Sequence, residues 1–256
     1  MLKVEDIKVG YHENIVLDGI SFSVEEGEFL GIIGPNGCGK TTLLRVITWV
    51  KHPLSGKVIF DGKDIKKLSR KEIAKIMAVV PQISPIPPFF TVEEIILMGR
   101  YPRQKIRWMT TKEDIEAVED TMQKTNTTHF RNRFINELSG GERQEVIITR
   151  ALAQEPKILI LDEPTANLDI KHQVRILSLI KSLVKEEKIT TVMVIHDLNL
   201  AARFCDKLIL LYDRKIYAEG GVEDVFTKQN LRDVYEVDVE VNHNPLINSL
   251  QVTVVG

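Results

Sequence analysis

Cysteine is scarce in this chain: Cys38 and Cys205 are the two in 256 residues. They stand too far apart to form a metal motif or a disulfide framework, and a reducing cytoplasm is the expected setting. An excess of either charge is missing too. The formal net charge is −2 and no long basic block occurs, which argues against nucleic acid as a partner. No apolar run approaches the roughly 20 residues of a membrane span. The opening Met1-Leu2-Lys3-Val4-Glu5-Asp6 carries no apolar signal segment. The expectation is a soluble or peripheral subunit, long enough to bury a large α/β core as one domain or two lobes.

Two phosphate cradles are present. The first is Gly34-Pro35-Asn36-Gly37-Cys38-Gly39-Lys40-Thr41-Thr42, glycine, four residues, then Gly-Lys-Thr. Phe29–Ile33 before it reads as a buried strand, and Thr41–Val50 after it can form a helix. Strand, loop and helix together are the context of a P-loop, as opposed to a glycine-rich turn that binds nothing. The loop of Gly34, Pro35, Asn36, Gly37, Cys38 and Gly39 can close around phosphates, its glycines letting the backbone N–H groups turn inward. Lys40 supplies a point charge to the β- and γ-phosphates, Thr41 a hydroxyl for Mg²⁺, and Thr42 is placed to reach the α-phosphate.

The second cradle is Leu138-Ser139-Gly140-Gly141-Glu142-Arg143-Gln144. It puts a serine and two glycines ahead of a helix pattern. Glycines let the backbone turn its N–H groups inward, and the helix start adds positive charge. One nucleotide does not need two anion sites from one chain. The simplest resolution is two copies that meet, each lending its Ser-Gly-Gly loop to the other's nucleotide.

Ile158–Leu161 is a short continuous apolar run, as in a parallel strand covered on both faces. Asp162 and Glu163 follow it, at the strand end where open α/β sheets place ligands. Asp162 is positioned to hold Mg²⁺, and Glu163 to orient and deprotonate water; the bland alternative is an acidic pair at a strand end. His196 follows the run Thr191–Ile195 in the same way and can contact the γ-phosphate, although a lone strand-end histidine is more often structural. Gln82 ends the strand Met77–Val80. Its amide can ligate Mg²⁺ or position water. Tyr11, in the loop Gly10-Tyr11-His12, offers a ring to stack on adenine; a partly buried loop tyrosine is the plain alternative.

The pattern predicts an α/β fold: a P-loop NTPase core with a mixed, mainly parallel sheet, an N-terminal antiparallel β subdomain and an inserted helical subdomain. Alternation over Leu2–Val24 and the strand Gly56–Phe60 put antiparallel strands around the P-loop strand. After the stiff loop with Pro85, Pro87 and Pro88, Thr91 and Glu94 have capping-box spacing. Ile115, Val118 and Met122 line one face of a helix after Thr111. Leu177, Ile180 and Val184 line a later one. Leu208–Tyr212 and Ile216–Ala218 read as a hairpin. The tail reads as two short helices and then strands at Val237–Val241 and Val252–Val255. The units expected are the core with antiparallel part and P-loop over 1–81, the helical subdomain with the second cradle over 82–155, the second half of the core over 156–225, and a C-terminal extension over 226–256.

Taken together, these motifs resemble the nucleotide-binding subunit of an ATP-binding cassette (ABC) transporter, in the family's order from Tyr11 to about Phe226. Gly34–Thr42 resembles Walker A, Gln82 the Q-loop, Leu138–Gln144 the family signature and Ile158–Glu163 Walker B with its catalytic glutamate. Ala166-Asn167-Leu168-Asp169 resembles the D-loop, and His196 the switch histidine. The resemblance implies ATP and Mg²⁺, with Thr41, Gln82 and Asp162 on the metal. It implies Glu163, His196 and Gln82 in catalysis, and Tyr11 against adenine. It also implies a head-to-tail homodimer in which Ser139, Gly140, Gly141, Glu142 and Asp169 act on the partner's ATP. Membrane-spanning permease subunits, and indirectly a substrate-binding protein, are the further partners it implies, at the cytoplasmic face of the cell membrane.

Phe90-Thr91-Val92-Glu93-Glu94 and Met98-Gly99-Arg100-Tyr101-Pro102 are similar to ATPases of iron–siderophore, haem and cobalamin uptake. The alternatives are a soluble cassette ATPase of iron–sulfur cluster assembly and a cassette for another substrate such as a metal ion. Three positions depart from the family pattern. Cys38 stands for the usual serine, Glu145 for a basic residue and Thr149 for a small apolar one. The last two are expected to weaken helix packing or inter-subunit contacts.

Overall fold

The computed structural model describes residues 1–104 and 109–255. Positions 105–108 of the expected helical subdomain and residue 256 of the expected extension lie outside them. The strands are β1 (Leu2–Tyr11), β2 (Asn14–Val24), β3 (Phe29–Ile33), β4 (Ser55–Phe60), β5 (Lys63–Asp64), β6 (Met77–Val80), β7 (Ile158–Asp162), β8 (Thr190–Val194), β9 (Lys207–Tyr212), β10 (Lys215–Gly221), β11 (Val239–Asn244) and β12 (Ser249–Val254). The helices are α1 (Lys40–Ile47), α2 (Arg70–Ile76), α3 (Val92–Met98), α4 (Lys112–Lys124), α5 (Gly140–Leu152), α6 (Ile170–Glu187), α7 (Leu198–Phe204), α8 (Val222–Val225) and α9 (Lys228–Tyr235).

A six-stranded sheet in the order β10-β9-β3-β8-β7-β6 forms the centre. It is parallel except for β10, which returns antiparallel beside β9. The apolar runs are continuous because both faces of this sheet are covered. Phe29, Ile33, Leu159, Leu161 and Met193 point into one core with α6, α7 and α9. Their neighbours Leu30, Ile32, Ile158, Ile160, Val192 and Val194 point into the other with α1 and the antiparallel sheet. Alternate strand residues thus feed opposite cores.

The antiparallel strands form their own four-stranded sheet, β2-β1-β4-β5. They stack over the P-loop strand as the N-terminal antiparallel subdomain that the sequence predicts.

A third core belongs to the helices: Val92, Ile95, Ile96, Val118, Met122, Phe130, Ile135, Leu138 and Val146. Thr91–Glu94 and Thr111–Asp114 close as capping boxes at the starts of α3 and α4. Ile115 is 55% exposed while Asp114 is buried, so the expected apolar face of α4 is narrower than the pattern suggested. Burial of Asp114 is offset by Arg100, whose Nε donates to Asp114 Oδ1 at 3.1 Å. Helices α2 and α7 have no counterpart in the sequence reading. The tail forms a separate β11–β12 hairpin, in which β11 begins two residues later and β12 three residues earlier than expected.

Candidate active site

Strand register brings the motifs to one edge. Ile32 pairs with Val194, and Val194 with Asp162; Val80 pairs with Leu161. The residues that leave the C-terminal ends of β3, β8, β7 and β6 are therefore Gly34, His196, Glu163 and Gln82, side by side as in other parallel sheets that bind ligands at that edge.

The P-loop needs glycine at its start and its end. Gly34 has φ of 144° and Gly39 of 104°, conformations that cost an L side chain heavily. A Cβ on Gly34 would also lie 2.3 Å from the Leu211 carbonyl oxygen. Gly39 caps α1 with no side-chain hydrogen bond, so the first amides of that helix stay available to an anion. Lys40 is 5% exposed. Its Nζ donates to the carbonyls of Gly34 and Pro35, each at 2.8 Å, so the loop curls round its own cation. Pro35 and Cys38 are half-buried, Asn36 and Gly37 exposed and Thr42 buried. Burial pushes the Cys38 thiol's pKa up, with Lys40 opposing.

The Thr41 hydroxyl donates to Asp162 Oδ1 at 3.2 Å. Burial raises the Asp162 pKa against that bond. A hydroxyl beside a buried carboxylate, with a carboxamide close by, is an all-oxygen donor set of the kind Mg²⁺ takes, so these residues fit that ion.

Glu163 is held from both sides. Gln82 Nε2 donates to its Oε2 at 2.7 Å, and His196 Nε2 lies 2.5 Å from its Oε1. Its backbone is left-handed, φ 52°, with Glu163 N–H donating to the Val194 carbonyl at 3.2 Å. That turn bends the chain back at the strand end, as expected where function over-determines a strained residue. No feature of the sequence announces it.

Tyr11 is 37% exposed. Arg45 Nη1 donates to its hydroxyl at 3.3 Å, and Lys51 Nζ sits 4.4 Å from the ring centroid. One ring face is thus occupied by a cation. The Arg45 bond also pulls the phenol's pKa down. Arg45 and Lys51 were absent from the sequence reading; basic residues on an exposed helix end give no signal.

The second cradle is built differently from its expectation. Gly140 and Gly141 are the first residues of α5 and do not lie ahead of it. Gly141 is required because a Cβ there would lie 2.3 Å from the His172 ring. Ser139 caps the helix. Its hydroxyl donates to Glu142 Oε2 at 2.8 Å, and the Glu142 amide returns a bond at 3.4 Å. The Ser139 amide, donating to Oε2 at 2.8 Å, and then the Ser139 hydroxyl hold the Glu142 carboxyl below its usual pKa. Asp169 caps α6 and takes the His172 amide at 2.9 Å, with His172 Nδ1 also at 2.9 Å. Gly141 and Asp169 therefore meet at His172, with Ser139, Gly140 and Glu142 beside them at the start of α5. Among the described residues no hydrogen bond or ion pair joins this group to Lys40, Asp162 or Glu163.

Of the two departures on this helix, Thr149 is bonded at both ends of its reach. The Thr149 hydroxyl bonds Thr125 Oγ1 at 3.0 Å and the Glu145 carbonyl at 2.8 Å, tying α5 to the end of α4. Glu145 is buried, with Arg175 Nε 3.1 Å from Oε1.

The family model described as ABC transporter matches residues 17–166. The iron(3+)-hydroxamate import ATP-binding protein FhuC of Bacillus subtilis is 39% identical over 247 residues, 96% of this chain and 92% of that protein. The ferric enterobactin transport ATP-binding protein FepC of Escherichia coli is 38% identical over 255 residues, 100% of this chain and 94% of that one. The dimeric structure of a post-hydrolysis state of the cassette MJ0796, bound to ADP and Pi, aligns with a TM-score of 0.73 at 32% identity, covering 87% of this chain and 99% of that chain. With a P-loop, an acidic strand end and a signature helix on one fold, the chain belongs to the ABC transporter family and is one of its ATP-binding cassettes, an ATPase.

Proposed function

We propose that this chain is the ATP-hydrolysing, energy-coupling subunit of an importer for an iron(III) chelate, haem or cobalamin. It works as a homodimer at the cytoplasmic face of the cell membrane, with membrane-spanning permease subunits and, through them, a substrate-binding protein. Among the described residues no helix is long and apolar enough to cross a membrane, so the membrane part belongs to the partners. The likeness to FhuC and FepC over nearly the whole chain supports the substrate class.

The observation that carries the chemistry is the chain of bonds Gln82–Glu163–His196 beside the P-loop. Lys40 exchanges the Gly34 and Pro35 carbonyls for phosphate oxygens, which hold the same charge more strongly. Thr41, Asp162 and Gln82 are the residues that would hold Mg²⁺, which would supply positive charge against the charge that develops on the phosphates. Glu163 accepts the proton of the attacking water. His196 and Gln82 hold its carboxylate and report on the γ-phosphate from either side. Tyr11 offers its ring to adenine. Ser139, Gly140, Gly141, Glu142 and Asp169 complete the site across the dimer.

In this reading, residues 1–81 and 156–225 form the nucleotide-binding core, and 82–155 form a lobe that carries the signature loop to the partner's nucleotide. Closure then depends on ATP, and hydrolysis releases it.

Two measurements test the proposal. Lys40→Ala should weaken ATP binding about thirtyfold, the loss of a charge-assisted bond of ~2 kcal/mol; unchanged binding by calorimetry removes Lys40 from the site. Vesicles holding the complete transporter should take up a ferric chelate, haem or cobalamin only with ATP. Uptake of zinc or manganese and of no chelate refutes the substrate class. Co-purification with soluble partners alone would favour a cluster-assembly ATPase.

A further inference from the structure

The loops assigned to the partner's nucleotide sit on two helices far apart in sequence, α5 and α6, and one side chain stands between them. His172, in the first turn of α6, reaches back to Asp169 at the end of the D-loop. Asp169 Oδ1 accepts the His172 amide and faces its Nδ1, each at 2.9 Å. The amide first and then the ring hold the Asp169 carboxyl below its usual pKa, so it stays an anion and His172 Nδ1 carries the proton. The same ring lies on the signature helix. A Cβ on Gly141 would meet Cδ2 at 2.3 Å, Cγ at 2.4 Å and Nε2 at 2.7 Å. Glycine is what lets the ring sit directly on the α5 backbone.

Two further contacts run along the same seam. Gln173 Nε2 donates to the Thr165 carbonyl at 3.3 Å, so the start of α6 holds the D-loop at its beginning as well as at its end. One turn beyond Gly141 and His172, Arg175 Nε lies 3.1 Å from Glu145 Oε1. Charge as well as packing therefore joins α5 to α6 there. The imidazole is a rigid plane, so a shift of Asp169 moves the ring against Gly141 and is not taken up by a flexible chain.

We propose that His172 is a latch between the two lent loops: it ties Asp169 to Gly141, so that the D-loop and the signature loop meet the partner's nucleotide as one face. His172 is a positioning residue. Its hydrogen bonds and ion pair among the described residues go to Asp169, not to Lys40, Asp162 or Glu163. The Ala166 amide donates to the Glu163 carbonyl at 3.1 Å, so the D-loop starts from the turn that carries Glu163. Each protomer's own catalytic turn is thereby joined, through Asp169 and His172, to the loop it lends. This role rests on the shared-site reading given above and adds what holds the lent loops together.

The test uses the full chain in the Glu163→Gln background, where hydrolysis no longer removes the ATP-bound dimer. Light scattering at saturating ATP gives the protein concentration at half-dimerisation. ADP affinity by calorimetry reads the monomer's own site, because ADP lacks the γ-phosphate that a lent loop would hold. His172→Ala removes both contacts, and the half-dimerisation concentration should rise about tenfold, the loss of a charge-assisted bond. ADP affinity should stay within about twofold of wild type, because His172 shares no partner with the P-loop. His172→Asn keeps a donor for Asp169 but lacks the ring on Gly141, so it too should dimerise more weakly than wild type. A general loss of stability would instead lower Tm and ADP binding together. The latch is overturned if His172→Ala dimerises as wild type, if ADP affinity falls in step with dimerisation, or if His172→Asn matches wild type. Ser139→Arg in the same assay separates the two levels. If it dimerises normally, the shared-site reading fails and takes the latch with it. If it blocks dimerisation while the His172 variants dimerise as wild type, only the latch fails.

Discussion

His196 Nε2 stands 2.5 Å from Glu163 Oε1, on the opposite side of the carboxylate from the Gln82 amide at Oε2. A carboxylate fixed at both oxygens cannot rotate away from the P-loop edge, and the left-handed backbone of Glu163 aims it there. Such a residue costs about 1 kcal/mol or more, which the surrounding turn sustains. Glu163→Gln keeps the shape and removes the base. Hydrolysis should fall at least about 100-fold, while ATP binding persists and the dimer accumulates. Near-normal phosphate release from this variant would take the base role from Glu163.

Much of this arrangement was legible in the chain. Glycine and lysine spacing located the P-loop because only glycine takes the φ of Gly34 and Gly39. Apolar runs located β3, β7 and β8 because a strand covered on both faces has no polar positions. The capping box at Thr91 was readable because both partners lie within one turn. What was not legible depends on contacts distant in sequence. The role of Gly141 is set by the His172 ring, 31 positions away by their numbers. The burial of Asp114 in place of Ile115 is set by Arg100.

Ser139 sits exposed at the start of α5 with its hydroxyl committed to Glu142. Ser139→Arg removes that cap, at a cost of about 1 kcal/mol, and fills the space a partner's γ-phosphate needs. ATP affinity of the monomer should remain within about twofold of wild type, while ATP-induced dimerisation in the Glu163→Gln background disappears. Light scattering with and without ATP reads this directly. A dimer at ordinary ATP concentrations would count against a shared site.

Glu145 supplies the pH dependence. Burial raises its pKa above the usual 4.5, with Arg175 opposing, and neither carboxylate oxygen has an aligned hydrogen-bond donor among the described residues. A raised folded-state pKa means that the folded chain holds the proton more tightly than the unfolded one. The stability this group contributes is complete below pH 4.5 and is lost as pH rises through the raised value. Glu145→Gln mimics the protonated form at every pH. Its Tm should equal or exceed that of the wild type at pH 8, and the gap should close toward pH 5. A Tm that is lower at pH 8 than at pH 5, relative to wild type, would mean that the Arg175 pair outweighs desolvation.

Arg100 closes the helical core at its base. Its Nε donates to Asp114, Nη1 donates to the Ala153 carbonyl at 2.7 Å, and Nη1 lies 3.2 Å from Glu155 Oε2. Both Arg100 and Asp114 side chains are under a tenth exposed, at 7% and 5%. Removing one partner strands the other in a buried site, which costs about 3–5 kcal/mol. Arg100→Ala should therefore destabilise by about that amount in urea unfolding. The double variant with Asp114→Ala should lose clearly less than the sum of the singles, because no charge is then left alone. Strictly additive losses would show that the pair is not coupled. The bonds of this pair run between α4 and the end of α5, away from the P-loop. ATP affinity of the folded fraction should thus remain at the wild-type value, which separates this structural pair from the residues that hold nucleotide.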